Sequence, residues 1–302
     1  MRLLIILFIP FLTMNLASAE YLFVEGNSNP NKNWQEFSSS ERLNLKNLYQ
    51  ILIKSKTGKS LLKKAKAKAE ENNETLYDIV SAGDGSLTDT TLTRRFSPHD
   101  PDRVIYESQS KVFLNKDLSQ YEALLDLAHE LTHYVYRKNF NPYVRNFSLS
   151  EFIKNTIEGT GGEVQAFMME CRVHNELFPG RIKDRFNCMK ILDQSTGQLS
   201  FKKAVTRFYQ VGAYFDSFDD VLNKHGIKTE FPEVSGQKAS FVSSAYGIPY
   251  PVAAFEEYLS VLNKVCENDK RRLGYLRKET GRTPASVSKF ESDFKFRCKD
   301  VF

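Results

Sequence analysis

The stretch LAHELTHYVY, residues 127–136, is the most informative in the chain. It places His129 and His133 four residues apart, with Glu130 directly after the first histidine. On an α-helix, residues four apart lie on one face, one turn apart, so the two imidazoles can converge on one metal ion. Glu130 is rotated about 100° around the helix, which leaves its carboxylate free to act as a base beside the ion. The alternative is a pair of histidines that meet at helical spacing by chance.

The segment in front of this motif predicts a sheet followed by a helix. Short runs rich in β-branched and aromatic residues predict a small, most simply antiparallel sheet. These runs are 90–96, 103–106 and 111–114. Asp117, with Gln120 three positions later, is typical of a helix start, and we expect that helix to end near Asn139, before Pro142. The apolar stripe of the helix is Tyr121, Leu124, Leu125, Ala128, Leu131 and Val135.

Helical periodicity dominates the rest of the chain. Before the sheet it predicts helices over 41–55 and 59–71, with a run of lysines that we interpret as a solvated face; attraction to an anionic polymer or membrane surface is the alternative. The stretch KTGKS at 56–60 is not a phosphate-binding loop, because position 53 is isoleucine and no strand precedes it. The later predicted helices are 150–158, 162–178, 183–193, 200–224, 251–278 and 284–297.

The N-terminus predicts export. Arg2 precedes a mostly apolar run from Leu3 to Leu16, and Ala17-Ser18-Ala19 supplies small residues suited to a signal peptidase. The run is shorter than the roughly 20 residues that span a bilayer, and no comparable run follows. We therefore expect residues 1–19 to be a signal peptide and the mature protein to be periplasmic or extracellular, without a transmembrane anchor. An uncleaved anchor is the alternative.

The net charge and the cysteine content limit the classes of protein to which the chain can belong. Without residues 1–19 the chain has 283 residues, with 41 basic and 37 acidic side chains and a formal charge of +4. This excess is too small to indicate nucleic-acid binding. Four cysteines suit an oxidising compartment and up to two disulfides. Sequence order favours Cys171 with Cys188 and Cys266 with Cys298, although three pairings are open.

A sheet followed by a helix with H-E-x-x-H resembles the zincin metallopeptidases, which His129, Glu130 and His133 match position by position. The resemblance covers roughly residues 90–175. It implies an α+β, zincin-like fold, mostly helical, with the small mixed or antiparallel sheet before the active-site helix and a helical C-terminal part. It also implies Zn²⁺ as cofactor. The metzincin branch needs a glycine and a histidine where this chain has Tyr136 and Asn139, so it is excluded.

The gluzincin branch of the same superfamily takes its third ligand from a glutamate on a later helix. Here the resemblance implies Glu163, in what reads as the first turn of a helix after Gly161-Gly162. Glu158 is the rival ligand, but it precedes a glycine-rich turn. Residues 162–167 match neither the thermolysin-like nor the large-aminopeptidase signature, so the subfamily is not identifiable and specificity is not inherited.

Several further residues are candidates for supporting roles. Glu170 could accept a hydrogen bond from the outer nitrogen of His129 or His133, or it could face solvent. Possible oxyanion donors or second-layer groups are His174, His225, Tyr246 and Tyr250, for each of which a structural role is the alternative. His174 is expected to be a packed histidine. The aromatic and basic segment 134–152 could line a substrate groove or serve in packing.

These expectations combine into one functional hypothesis. The chain is expected to be an exported zinc metallopeptidase that hydrolyses peptide or protein substrates by Glu130-assisted attack of zinc-bound water, with internal cleavage favoured over removal of terminal residues. The alternative is a non-catalytic binding protein on a zinc-stabilised zincin scaffold. We expect an N-terminal helical region over 20–85 and a zincin-like catalytic domain over 86–302 with a helical C-terminal subdomain. Whether 20–85 is instead a removable inhibitory pro-segment is left open.

Overall fold

The computed structural model describes residues 29–96, 103–138, 140–278 and 284–299. The signal peptide expected at 1–19 lies outside these residues. Within them the chain is α+β and mostly helical, with a small mixed sheet, as the sequence predicted. The α-helices are α1 (Glu41–Leu52), α2 (Lys56–Glu71), α3 (Leu76–Ile79), α4 (Gln120–Tyr136), α5 (Leu149–Ile157), α6 (Glu163–Leu177), α7 (Phe186–Met189), α8 (Phe201–Phe208), α9 (Phe215–Lys224), α10 (Tyr250–Leu276) and α11 (Pro284–Arg297). Short 3₁₀ helices are Trp34–Phe37, Ile182–Asp184, Gly212–Tyr214 and Lys228–Glu230.

The sheet has three strands in the order β1-β3-β2. The strands are β1 (Val80–Gly83), β2 (Leu87–Phe96) and β3 (Val104–Asn115). β1 runs parallel to β3, whereas β2 pairs antiparallel to it along its whole length, from Leu87 opposite Phe113 to Phe96 opposite Val104. Of the two arrangements expected, mixed or antiparallel, the sheet is the mixed one. β1, which makes it mixed, was not predicted as a strand, because it is short and poor in strand-forming residues.

The two runs predicted at 103–106 and 111–114 are parts of one strand, β3. The polar residues between them continue the strand because this part of the β2–β3 pair lies open to solvent on both faces. Burial begins near the C-terminal end of β3, where Val112 and Leu114 are fully buried. Hydrophobic alternation therefore marks only the end of the strand that packs on the core.

Helix α4 carries the H-E-x-x-H motif at the centre of the molecule. Its N-cap is Ser119, whose side chain accepts a hydrogen bond from the Glu122 N–H, so the helix begins two residues after the predicted Asp117 cap position. It ends at Tyr136, because Arg137 adopts an extended conformation. The predicted end near Asn139 is therefore too late; Asn139 itself lies outside the described residues.

Most of the other predicted helices match within a few residues, but two do not. The single helix expected over 200–224 is split into α8 and α9, since Gly212 adopts a φ of +57°, which breaks the helical path. The helix expected over 183–193 shrinks to α7, which follows a 3₁₀ turn. Length and periodicity alone do not register such local interruptions.

The core has two parts that meet at α6. The first joins α1 and α2 to the sheet, to α4 and to the C-terminal half of α6. The second joins α5 and the N-terminal half of α6 to α8, α9 and α10. α4 packs directly on α6, so the two helices that bear the predicted metal ligands face each other between the two parts of the core.

The cysteines form the two disulfides favoured by sequence order. Cys171–Cys188 joins α6 to α7, and Cys266–Cys298 joins α10 to the residue after α11. Among the described residues, every helix is too short or too polar to cross a membrane.

The KTGKS stretch forms the start of α2, not a phosphate loop. The Glu176 carboxylate of α6 accepts hydrogen bonds from the Ser55 hydroxyl at 2.6 Å and from the Thr57 N–H and hydroxyl at 2.7 Å. This carboxylate satisfies free N–H groups at the helix start and complements the helix dipole. An anion from within the chain therefore already holds the position that a phosphate would take.

Candidate metal centre

Helices α4 and α6 bring His129, His133 and Glu163 together. His129 Nε2 lies 3.3 Å from Glu163 Oε2, and His133 Nε2 lies 3.4 Å from Glu163 Oε1. The three side chains are 15%, 4% and 13% exposed. Glu163 is the first residue of α6, directly after the Gly162 N-cap. Its position at the helix start lets the carboxylate project toward α4 while the body of α6 packs below.

Each of these nitrogen–oxygen separations is of the size found between neighbouring ligands of one metal ion. Zinc–nitrogen bonds of about 2.0–2.1 Å and zinc–oxygen bonds of about 2.0–2.2 Å place neighbouring tetrahedral ligands about 3.3–3.5 Å apart. Charge-assisted hydrogen bonds between nitrogen and carboxylate are shorter, about 2.7–2.9 Å. Two imidazoles and one carboxylate also form a donor set that zinc accepts. The chemistry of the donor set therefore fits zinc.

The outer nitrogens of both histidines are engaged elsewhere. His133 Nδ1 donates to the Gly161 carbonyl at 2.8 Å. His129 Nδ1 lies 3.5 Å from Glu170 Oε2, and Arg185 Nη2 holds the other oxygen of Glu170 at 2.9 Å. These partners orient the rings so that each Nε2 points inward, the arrangement that supports metal-binding histidines.

The Glu130 carboxylate is fixed next to the two histidines. One ligand atom from each of His129, Glu130 and His133 lies within 4.8 Å of the others. The Thr88 hydroxyl of β2 donates to Glu130 Oε2 at 2.7 Å and to the Glu130 carbonyl at 3.0 Å. The sheet thus aims the carboxylate and leaves its second oxygen available for a proton.

Arg137 completes the surroundings of Glu163. It donates from Nη2 to Glu163 Oε1 at 3.0 Å and from Nε to the Gly161 carbonyl at 3.2 Å. Gly161 has a φ of +73°, and a Cβ there would lie 2.2 Å from the Arg137 backbone nitrogen. Glycine is therefore required for the turn before α6 to touch the end of α4.

The charges of the cluster are strongly coupled. Burial lowers the pKa of His129, but hydrogen bonds to Glu163 and Glu170 outweigh it and hold that pKa well above its usual value. Burial raises the pKa of Glu163, but His133, His129 and Arg137 outweigh it and hold that pKa well below its usual value. The Glu163 carboxylate thus remains negatively charged. A proton on the cluster or a metal cation would balance that charge.

Tyr250 and Tyr246 take different places around the cluster. Burial, with the charges of Glu163 and Glu130, raises the pKa of Tyr250 well above its usual value. Tyr246 is 47% exposed and lines the cleft beside His133. Tyr250 is therefore the buried tyrosine near the cluster, and Tyr246 is the tyrosine at the open side.

The remaining candidates lie in other surroundings. Glu158, the rival third ligand, accepts a hydrogen bond from the Tyr209 hydroxyl at 3.1 Å. His174 is a packed histidine, with Nδ1 2.6 Å from the Tyr121 hydroxyl and Nε2 3.0 Å from the Arg181 carbonyl. His225 is exposed at the end of α9, where its ring meets Phe255.

A cleft of about 430 Å³ opens beside the cluster. One wall is β2 with the adjacent part of β3, the floor is the end of α4 at His133 and Arg137, and the opposite wall is α10 from Glu257 to Asn268. Part of the segment 134–152, for which groove lining was one of two interpretations, does line this cleft. The cleft is therefore a route by which a polymer could reach the cluster.

Three neighbours of the cluster were not anticipated from sequence. Arg137 lies one helical turn after His133, and that spacing could have indicated it. Thr88 and Arg185 carry no local signal, since packing between distant segments brings them to Glu130 and Glu170.

Comparison of the whole chain with protein-family models, with curated proteins and with solved structures gave no match. The case for a function therefore rests on the residues themselves.

Proposed function

We propose that this chain is an exported, zincin-like zinc metallopeptidase in which His129, His133 and Glu163 hold the metal and Glu130 is the general base. One observation carries the proposal. Both Nε2 atoms converge on the Glu163 carboxylate at 3.3 and 3.4 Å, while both Nδ1 atoms face acceptors outside the cluster. The order of sheet, motif-bearing helix and glutamate-bearing helix supports the zincin-like assignment, and the two disulfides support export.

In amide hydrolysis the metal, Glu130 and the cleft would each have a separate role. A bound zinc ion would supply Lewis acidity, lowering the pKa of a water molecule and polarising the scissile carbonyl. Glu130, 6% exposed and aimed by Thr88, accepts the proton of the attacking water and returns it to the leaving amine. The cleft between β2 and α10 orients the polypeptide, and internal cleavage is the reaction proposed.

The alternative, a zinc-stabilised binding protein without activity, is distinguished by Glu130. A scaffold needs the three ligands but has no use for a buried carboxylate held next to them. Burying a charged group is costly unless it serves a purpose or is well paired. The Thr88 hydroxyl orients Glu130 beside the two histidines, which favours the enzyme.

The test combines metal analysis with peptide cleavage. Purified protein is expected to contain about one zinc ion per chain and to cleave members of a peptide library. Glu130→Gln should retain zinc and lose about 10²–10⁴-fold in kcat/KM, because general base catalysis is removed. His133→Gln should lose the metal, and Glu70→Gln, an exposed change on α2, should behave as wild type.

Two results would contradict the proposal. Undiminished cleavage by Glu130→Gln would exclude the assigned base. Purified protein that neither contains nor binds zinc would exclude the site itself.

A further inference from the structure

A second cleft, of about 370 Å³, lies beside the first and has an aromatic wall. Phe140, Phe147 and Phe152 supply the rings, and we call this cleft the aromatic pocket. Asn155 and Thr156 of α5 add uncharged polar groups to its lining. The charged residues at the pocket are Arg137, Lys138, Glu151 and Glu257, two of each sign. The formal charges at the pocket therefore cancel, and the three phenylalanine rings supply its aromatic surface.

The rings of the aromatic pocket form one packed assembly. Phe140 stacks on Phe147 at a centroid distance of 5.9 Å and meets Phe152 edge-on at 5.3 Å. Phe147 also stacks on Tyr258 of α10 at 4.8 Å. Phe152 is 6% exposed, whereas Phe140 is 46% exposed. The inner rings are thus held by the core, and Phe140 presents apolar surface at the mouth, where a bound side chain would remove it from water.

The aromatic pocket is continuous with the cleft at the metal centre. Arg137, Lys138, Phe140 and Glu257 line both. Arg137 also donates to Glu163, so a single side chain connects the third candidate ligand to the pocket wall. An extended peptide advances about 3.4 Å per residue. A chain that passes the metal centre therefore brings a side chain near the scissile bond to the pocket.

We infer that the aromatic pocket receives an aromatic or large aliphatic side chain of the polypeptide substrate and sets cleavage specificity at that position. The inference rests on the proposed peptidase function. A preformed apolar pocket of this kind discriminates between a large apolar side chain and a small one by about 10–100-fold in kcat/KM.

The test uses matched peptides that differ at one position, with phenylalanine, leucine, alanine or aspartate at each of the three residues on either side of the cleaved bond. Wild-type protein should prefer phenylalanine or leucine over alanine by about 10–100-fold at one of these positions. In Phe140→Ala the ratio should fall to within a few-fold of one. Asn155→Phe, which fills the pocket from the exposed side of α5, should reduce the ratio as well. Phe186→Ala removes a phenylalanine that is 74% exposed on α7 and should keep the wild-type ratio.

Binding to Glu130→Gln separates failure of this inference from failure of the peptidase proposal. Peptide affinity, measured by fluorescence anisotropy, should show the same preference, and Phe140→Ala in that background should remove it. If no peptide is cleaved but this preference is present, the pocket assignment holds and the peptidase proposal fails. If wild type cleaves with no apolar preference, or if Phe140→Ala leaves the preference intact, the pocket assignment is wrong.

Discussion

Gly161 links the geometry of the metal centre to a single backbone conformation. Its φ of +73° belongs to the left-handed region, and its α-carbon lies against the backbone of Arg137. Its carbonyl accepts from both His133 Nδ1 and Arg137 Nε. Any larger residue would push the turn before α6 away from the end of α4, so the ring of His133 would lose the acceptor that orients it.

Gly161→Ala should therefore lower the free energy of unfolding by several kcal/mol and weaken zinc binding. Gly197→Ala is the matched control, because Gly197 also has a positive φ, of +67°, but a Cβ there meets nothing within 4 Å. The control should lose only the left-handed strain, about 1–2 kcal/mol. Denaturant unfolding and zinc titration of both variants check this. Equal losses in the two variants would show that the contact with Arg137 is unimportant.

His174 gives the molecule a defined response to acid. Burial, together with the nearby guanidinium of Arg185, lowers the pKa of this imidazole below its usual value. As the pH falls through about 6.5, the unfolded chain binds a proton at this position that the folded chain refuses. The contribution of neutral His174 to the free energy of unfolding is therefore fully present above that pH. Below it the contribution declines, by no more than about 1.4 kcal/mol per pH unit.

Replacement of His174 should flatten this dependence. Between pH 7.5 and 5.5, His174→Gln should lose less stability than wild type, whereas His225→Gln, an exposed control, should follow wild type. The urea midpoint at several pH values gives the comparison. If His174→Gln shows the wild-type slope, another group is responsible for the acid sensitivity of the protein.

At the scale of elements, Asp269 of α10 connects three segments. Its fully buried carboxylate accepts hydrogen bonds from Arg94 of β2, at 2.6 Å, and from Arg297 of α11. Arg94 also lies over the ring of Tyr143, 3.8 Å from its centroid. Asp269 and its two arginines thus tie together the far end of the β2–β3 pair, the C-terminal helix and the loop before α5.

Asp269→Asn should destabilise the protein by about 3–5 kcal/mol, since it leaves two largely buried guanidinium groups without a charged partner. Asp293→Asn on α11 is the matched control, because that side chain is 33% exposed and its contact with Arg145 is 3.9 Å long. The control should change stability by less than about 1 kcal/mol. Thermal and denaturant unfolding distinguish the two. A loss in Asp269→Asn as small as in the control would mean that the arginines are adequately solvated.

At the scale of the whole molecule, the N-terminal helices belong to the same core as the metal-bearing helix. Leu48, Leu52, Leu61 and Ala65 of α1 and α2 are buried in the core part that includes α4. β1 pairs with β3, and the Trp34 indole donates to the Asn115 carbonyl at 2.8 Å. Residues 34–83 therefore form an integral layer of the fold, which argues against their removal as a pro-segment.

A chain that begins at Ser86 should accordingly fail to fold cooperatively, because one side of α4 and of the sheet would lose its apolar cover. A chain that begins at Asn29 should fold and bind zinc as the full mature protein does. Near-UV circular dichroism and zinc titration report on both. A folded, zinc-binding chain from Ser86 would show that the N-terminal layer is dispensable and would revive the pro-segment interpretation.

Local patterns predicted much of the fold. The 3.6-residue spacing of apolar side chains predicted most helices within a few residues, and the order of cysteines favoured the observed disulfides. Features that depend on distant partners were missed or misplaced. β1 has too few residues to carry a pattern, and the break between α8 and α9 depends on Gly212. The polar middle of β3 is a strand because it pairs with β2, not because of its own composition.

The sequence by itself determined that His129, Glu130 and His133 share a helix, because helical spacing is a local property of consecutive residues. Its resemblance to zincins also indicated Glu163 as a partner. The tertiary structure decided what surrounds them: it set Glu163 between the two Nε2 atoms, Thr88 on Glu130, Arg137 on Glu163 and the aromatic pocket next to the cleft. The contacts of Glu130 and Glu163 join residues up to 42 apart in the sequence, and their geometry depends on how α4, α6 and the sheet pack, which no local periodicity encodes.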